Sequence, residues 1–292
     1  MKIDVVCPLY MAEKEIEQII ANIKKQENVE INKIIFPVTL SEDSEKTIEI
    51  IKNYSCTYFT VEKKEFSHSL TREKAMSEFC ESDVVVMLTQ DAVLEKTDAF
   101  YQIASAVNEN VPYAYGKQIC KKKNIEYYTR KKNYAKVSHT IESKDVEKMG
   151  LLAFFASDAF SAYYRPVFLE LGGYDGIPMM MNEDMYYAKK IIDRGYKKAY
   201  VAEAEVVHSH KFTLKQLYKR YYDTGVWFAE HPEFNQYKST SSGLKLALYT
   251  FGKALLHFNV PVLFRLIPDM LARFLGMKKG KKIGKLANKE KQ

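Results

Sequence analysis

The sequence predicts an α/β fold: a mostly parallel, mixed sheet with flanking helices, followed by amphipathic C-terminal helices. Three observations predict it. Strand-like and helix-like segments alternate through the first 110 residues. The run Val84–Leu88 is wholly apolar, the pattern of a strand covered on both faces in a parallel sheet. Residues 243–276 carry apolar side chains at helical spacing ahead of a lysine-rich tail, as an amphipathic helix does.

Taken in order, residues 3–7 read as a strand closed by Pro8, and residues 12–26 as a helix with Ile16, Ile19, Ile20 and Ile23 on one face. Residues 33–38 form the next expected strand, 44–53 a helix, 57–61 a strand and 70–79 a helix leading to the apolar run. This βαβαβαβ order calls for parallel strands with helices packed on the sheet. Residues 112–150 look less regular and are rich in Lys and Tyr. Residues 151–162 are apolar and aromatic, interrupted by Asp158. The cluster Gly172-Gly173-Tyr174-Asp175-Gly176 reads as a turn, 185–194 as a helix stopped by Gly195, and 213–230 as a long aromatic helix.

Composition sets broad limits. At 292 residues the chain can bury a large core. Its four cysteines, Cys7, Cys56, Cys80 and Cys120, lack zinc-ribbon or disulfide-framework spacing, which suits a reducing, cytosolic setting. The N-terminal residues lack a signal-peptide pattern. The net charge of +7 is concentrated at one end: from Arg265 onward nine lysines and arginines face two acids, and the remainder is formally neutral. The tail holds no interleaved aromatics, which argues against a nucleic-acid partner. The longest uncharged stretch of the C-terminal segment, residues 254–264, is far shorter than the ~20 residues of a membrane span. One or two helices lying in an anionic membrane interface fit better; the alternative is that this face packs on the protein and the lysines are solvated.

The first glycine of the chain is Gly116. The first strand–helix turn, from Pro8 to Glu13, therefore lacks the glycines of a dinucleotide-binding loop, so a nucleotide held by this half needs side chains or a metal. Thr89-Gln90-Asp91 follow the apolar strand, where open α/β sheets bind their ligands. Glu183-Asp184 open a helix, and His208-Ser209-His210 follow an apolar stretch. A carboxylate and a histidine make a weak divalent-metal site that substrate phosphates complete; a second carboxylate pair supplies a candidate general base.

Pro8-Leu9-Tyr10, Ser41-Glu42-Asp43-Ser44, Thr89-Gln90-Asp91, Gly172-Gly173-Tyr174-Asp175, Glu183-Asp184 and His208-Ser209-His210 occur in the order seen in family 2 glycosyltransferases of the GT-A (Rossmann-like) fold. Across residues 1–230 the chain resembles that family. Phe66-Ser67-His68-Ser69-Leu70-Thr71-Arg72 is similar to the Phe-x-His-Gly-x-Thr-Arg-Asn pattern of its rhamnosyltransferase-type members, with Ser69 in place of the glycine and Glu73 in place of the asparagine. The resemblance implies a catalytic domain over residues 1–235, with a nucleotide-sugar half to about 118 and an acceptor half from about 150, and a membrane-association segment over 236–292. It implies Asp91 as a ligand, with His208, of a divalent cation (Mg2+ or Mn2+) on the donor diphosphate. Thr89 replaces the first acid of that motif. Pro8, Tyr10, Asp43, His68, Arg72, Thr89 and Gln90 are the implied donor-side residues. Asp184 is the implied base, with Glu183 as its alternate.

The implied reaction is direct, inverting transfer from a nucleotide sugar, dTDP-L-rhamnose by subgroup, to a cell-surface polysaccharide or lipid-linked glycan at the inner face of the cell membrane. A UDP-hexose donor, a nucleotidyltransferase and a non-enzymatic scaffold are the alternatives. Each site residue also has a plainer role open to it. Asp91 could cap a following helix, and Glu183 and Asp184 could simply charge a helix N-terminus. His68 could pack, Asp158 could cap or line the acceptor site, and Trp227 could be core or acceptor-lining.

Overall fold

The computed structural model describes residues 1–42, 44–237 and 242–290. In chain order the elements are β1 (Lys2–Val6), β2 (Leu9–Tyr10), α1 (Ile16–Lys24), β3 (Glu30–Thr39), α2 (Ser44–Asn53), β4 (Thr57–Val61), α3 (His68–Lys74) and β5 (Val84–Leu88). Next come α4 (Ala99–Ala104), β6 (Tyr113–Ile119), α5 (Ile125–Asn133), β7 (His139–Ile141), α6 (Val146–Met149), β8 (Phe160–Tyr164) and α7 (Arg165–Glu170). The chain continues through α8 (Glu183–Asp193), β9 (Lys198–Val207), α9 (Leu214–Glu230), α10 (Ser242–Leu256) and α11 (Val260–Glu290). It divides into two compact units: residues 1–118, 136–145 and 154–208 form one, and 119–135, 146–153 and 209–292 the other.

The first unit holds one nine-stranded sheet in the order β2-β3-β1-β5-β8-β6-β9-β7, with β4 beside β3. β1 lies parallel between β3 and β5, so that Val5 stands beside Ile34 on one side and Val86 on the other. All five residues of β5 are buried, as the unbroken apolar run requires. The predicted face of α1 is the buried one: Ile16, Ile19, Ile20 and Ile23 all face the core, each worth roughly 1.5–3 kcal/mol when removed from water. The buried Asp4 carboxylate on β1 accepts hydrogen bonds from the backbone N–H groups of Glu81 (2.6 Å) and Ser82 (2.7 Å) and from Asn32 (2.9 Å). It thereby fixes the chain as it enters β5. α3 starts where Ser67 accepts a hydrogen bond from the Leu70 N–H at 3.1 Å. The expected single helix over 70–79 is instead α3 followed by a wider π turn, Ala75–Phe79.

The stretch expected to be irregular, residues 112–150, contains β6, α5 and β7. β6 carries Gly116, and a Cβ there would lie 2.6 Å from the Phe160 ring and from the Ala204 carbonyl. Strand packing on both sides demands the glycine, and the glycine weakens the strand signal in the sequence. β8 runs antiparallel between β5 and β6, which makes the sheet mixed.

In the second unit α9 opens with a capping box in which Thr213 and Gln216 satisfy each other's backbone N–H. α10 and α11 are separated at residues 257–259, where Phe258 takes φ +50°. Pro261 falls in the first turn of α11 rather than at the break; there its missing N–H costs nothing. Pro268 lies inside the helix.

α11 presents two faces. Val262, Leu266, Met270 and Phe274, spaced four residues apart, split between them: Val262 and Leu266 are buried, while Phe274, with Phe264, Ile267 and Leu271, is exposed. On the inner face Gly276, Gly280 and Gly284 recur every fourth residue against α9. A Cβ at Gly280 would lie 2.0 Å from the Tyr222 carbonyl oxygen, and one at Gly276 2.4 Å from that of Tyr218. The two helix backbones therefore meet at distances only glycine permits. No described helix is long and apolar enough to cross a membrane.

This seam reverses the usual effect of Gly→Ala in a helix, a gain of ~0.8–1 kcal/mol. Gly280→Ala should lower the thermal midpoint, whereas Gly252→Ala in α10, where a Cβ meets nothing within 4 Å, should raise it. Calorimetric melts of both variants check this; a stabilised Gly280→Ala would contradict the seam.

Candidate active site

Three groups of side chains in the first unit carry chemistry. The first lies beyond the end of β5. Ala92 N–H donates to the Thr89 carbonyl at 3.0 Å, so Asp91 sits in a tight turn. No helix begins there, and the capping role drops out. Val93 and Val207 exchange two backbone hydrogen bonds of 2.9 Å. This short bridge brings the end of β9 beside the turn and sets His208 Nε2 3.3 Å from Asp91 Oδ1.

A chain of polar groups orients that histidine. Gln118 Nε2 donates to Ser157 Oγ at 2.5 Å, which turns Gln118 Oε1 toward His208 Nδ1 at 2.8 Å. The Nδ1 atom is thereby assigned the proton, and in the neutral ring the Nε2 lone pair faces Asp91. A metal-binding histidine is held in this way by a partner on its other nitrogen. Lone pair and carboxylate converge with Asp91 half exposed, a donor set that fits a divalent cation whose remaining positions go to phosphate and water. Thr89 Oγ1 is buried without a hydrogen-bond partner among the described residues.

The second group surrounds Glu183 and Asp184, which open α8 after Asn182 in the left-handed conformation (φ +60°). Their roles separate sharply. Glu183 is buried and forms an ion pair and hydrogen bond with Arg72 Nη1. Arg72 is 2 % exposed, with Nε 3.8 Å from Asp158 Oδ2. Expected on the donor side, Arg72 is enclosed by carboxylates of its own chain. Asp158, also buried, neither caps a helix nor faces solvent. It accepts hydrogen bonds from Ser161 (2.7 Å), Tyr163 (2.8 Å), Tyr113 (2.9 Å) and Tyr174 (3.3 Å). Asp184 is only partly buried, and its Oδ1 accepts the Met185 N–H at 2.6 Å.

Electrostatics follow from this crowding. Burial, then the Glu183 and Asp158 charges, push the Asp184 carboxyl well above the usual range. Burial also raises Glu183, against the pull of Arg72. Burial opposes the Arg72 charge, but Glu183 and Asp158 outweigh it and hold the guanidinium charged. Burial raises the phenols of Tyr113, Tyr163 and Tyr174, with Asp158 adding to it. The Cys7 thiol, raised by burial, feels both Asp91 and Arg72, so the first two groups are electrostatic neighbours.

The third group is the expected donor side. The amide of Gln90 is engaged by backbone: Tyr10 N–H donates to its Oε1 (2.8 Å), and its Nε2 donates to the Tyr10 carbonyl (3.1 Å). Gln90 thus holds Pro8-Leu9-Tyr10 against the β5 turn. The Tyr10 ring is exposed, with Lys63 Nζ 3.0 Å from its hydroxyl. His68 meets Phe66 edge-on at 5.1 Å. Asp43 lies outside the described residues.

The two departures from the rhamnosyltransferase-type pattern act together. Ser69 Oγ donates to the Ile177 carbonyl (2.6 Å) and accepts from Met179 N–H (2.7 Å). Glu73 accepts from Tyr174 N–H at 2.6 Å. Both tie α3 to the segment that leads into Glu183. Gly173 there has φ +54°, and a Cβ on it would lie 2.8 Å from Glu73 Oε2.

Trp227 belongs to the second unit, where it is buried and stacked on His231 with ring centres 4.3 Å apart. Core packing, not an open acceptor wall, is its surrounding. Gln118, Ser157 and the tyrosine cradle of Asp158 escaped the sequence analysis. Gln118 sits in the strand that Gly116 obscured, and no short motif marks a cradle drawn from three separate segments.

A sequence profile described as "Glycosyl transferase family 2" matches residues 4–172. The O-antigen chain rhamnosyltransferase RfbN of Salmonella typhimurium is 33% identical over 288 residues, covering 96% of this chain and 90% of that protein. The O-antigen chain rhamnosyltransferase WbaN of Salmonella anatum is 35% identical over 265 residues, covering 88% and 82%. Among solved structures, the mannosyltransferase PcManGT from Pyrobaculum calidifontis in complex with GDP-Man and Mn2+ superposes with a TM-score of 0.59 at 14% identity, covering 98% of this chain and 87% of that one. S. aureus TarS 1-349 with UDP-GlcNAc gives 0.53 at 11% identity, covering 100% and 93%. The nine-stranded mixed sheet is thus that of GT-A glycosyltransferases, and with the family profile spanning most of the sheet and both curated relatives covering nearly the whole chain, this protein belongs to glycosyl transferase family 2.

Proposed function

We propose that this glycosyltransferase moves L-rhamnose from dTDP-L-rhamnose onto a growing lipid-linked or cell-surface glycan, by one direct displacement that inverts the anomeric centre. The observation that carries the mechanism is the unequal fate of two adjacent carboxylates. Glu183 is held by Arg72, whereas Asp184 keeps a partly open face. Asp184 takes the proton of the acceptor hydroxyl as its oxygen bonds to the anomeric carbon, and the nucleoside diphosphate leaves from the opposite side. One base suffices for an inverting displacement, as in inverting glycosidases, and a carboxyl raised above its usual range is a stronger base for the task. Asp91 and His208 would hold a divalent cation, Mg2+ or Mn2+, which when bound neutralises charge on the departing diphosphate. Pro8, Tyr10, His68 and Thr89 stay assigned to the donor side. The donor sugar rests on the two rhamnosyltransferase relatives.

The enzyme works at the cytoplasmic face of the membrane. Along α11 the exposed apolar residues Val260, Phe264, Ile267, Leu271 and Phe274 are continued at the same spacing by Lys278, Lys282 and Lys285. An apolar row running into a basic one suits a helix lying in an anionic lipid interface. Its glycine face is occupied by α9, so the lipid-facing row is free of that packing.

A panel of nucleotide sugars tests the donor: nucleoside diphosphate release should be fastest with dTDP-L-rhamnose, and a faster UDP-hexose reaction would replace it. Asp184→Asn should lower kcat roughly 10²–10⁴-fold with an unchanged melt; near wild-type turnover rules out the base. Gln118→Leu should weaken Mn2+ binding in the presence of dTDP about 10–100-fold by calorimetry, the scale of losing a ligand's supporting hydrogen bond; unaltered affinity removes His208 from the site. Phe264→Asp with Ile267→Asp should abolish sedimentation with phosphatidylglycerol vesicles while the melt is preserved; retained sedimentation removes the lipid role.

A further inference from the structure

Three carboxylates, Asp158, Glu183 and Asp184, crowd one site at the start of α8, and electrostatics couple all three. Like charges held this close oppose one another's ionisation. Asp158 accepts hydrogen bonds from four hydroxyls. Glu183 is satisfied by Arg72. Among the described residues Asp184 forms no ion pair like that of Glu183, and it bears the repulsion of the other two carboxylates. Arg72 is therefore placed to govern the proton on a neighbour that it does not itself bind.

We propose that Arg72 is a positioning residue for the base: by holding Glu183 and lying beside Asp158, its single positive charge counters the repulsion of these two carboxylates and so lets Asp184 ionise and receive the acceptor's proton. The proposal rests on Asp184 being the base. It assigns Arg72 a role distinct from neutralising the donor diphosphate, in keeping with a guanidinium that is 2 % exposed.

The groups that face this cluster come from several elements. α3 supplies Arg72 and Glu73, the latter bonded to Tyr174 N–H. The segment before β8 supplies Asp158, β6 supplies Tyr113, β8 supplies Tyr163, and the glycine turn supplies Tyr174. α8 adds Glu183, Asp184 and Tyr187. β9 adds Lys198, fully buried, whose ammonium donates to the Phe155 carbonyl; burial lowers it to about 7, with Asp184 pulling the other way. Lys198 is thus a second cation whose charge Asp184 favours, but its hydrogen bond goes to backbone, which leaves Arg72 as the cation fixed on a carboxylate.

The test is the pH dependence of kcat with saturating donor and acceptor for wild type, Arg72→Gln, Arg72→Lys, Glu183→Gln and Asp184→Asn, with donor KM measured alongside. Catalysis needs ionised Asp184, so kcat rises with pH through its titration. Removing a neighbouring positive charge should move that rise up by about one unit or more. Arg72→Gln should therefore lose about tenfold in kcat below the shifted midpoint, recover at higher pH, and keep its donor KM within about twofold. Arg72→Lys, retaining the charge, should return the midpoint toward wild type. Glu183→Gln removes a like charge and should move the midpoint down.

An unshifted midpoint in Arg72→Gln overturns the proposal. A donor KM raised about tenfold at an unshifted midpoint does so too, and returns Arg72 to the diphosphate. If Arg72→Gln does not fold, Glu183→Gln decides, because an unmoved or raised midpoint there is equally contrary. Near wild-type turnover in Asp184→Asn instead defeats the base itself, a failure distinct from a midpoint that does not respond to Arg72.

Discussion

A guanidinium enclosed between Glu183 and Asp158 is the contact on which the junction at the start of α8 depends. Burying ions is costly, and a buried pair lasts only where its geometry and remaining hydrogen bonds are nearly complete. Here Asp158 collects hydroxyls from Ser161, Tyr113, Tyr163 and Tyr174, and Glu183 meets Arg72 directly, while Arg72 Nε, 3.8 Å from Asp158, is left without a hydrogen bond among the described residues. The cluster draws on α3, β6, β8 and the start of α8 at once, so it reports whether all four are in place. Ser69 and Glu73, one turn apart on α3, fasten the segment that leads into α8. The residues that depart from the usual pattern therefore reinforce the same junction.

The geometry at Asp91 and His208 arises from a separate device. Two hydrogen bonds between Val93 and Val207 bring the ends of two strands together, and that short bridge makes neighbours of residues more than a hundred positions apart in sequence. Strand β5 contributes rigidity below; Gln118 and Ser157 contribute orientation beside. Neither acts on the reaction directly. Both restrict how Asp91 and His208 are placed, as groups supporting a metal site would.

Much of this was legible in the sequence because local patterns and the fold agree. The apolar run of β5, the isoleucine face of α1 and the alternation through residue 90 each state their role locally. The motif order placed Asp91, Glu183, Asp184 and His208 correctly at element ends. What local pattern does not carry is long-range pairing. A basic residue such as Arg72 reads the same whether it meets a phosphate or a glutamate 111 positions later. Gly116 disguised β6 because the packing that demands glycine also removes the side chain that would mark a strand. In α11 spacing detected an apolar helix but merged two faces, since glycine contributes to no hydrophobic pattern although three glycines define the inner one.

One base acting in one displacement leaves no role for an enzyme nucleophile. The anomeric configuration of the product, read by NMR from the glycan formed with a donor of defined configuration, addresses that claim most directly. Opposite configurations in donor and product are the predicted result. Retention of configuration would require two displacements or a different attacking face, and would contradict the assignment of Asp184 as the single base.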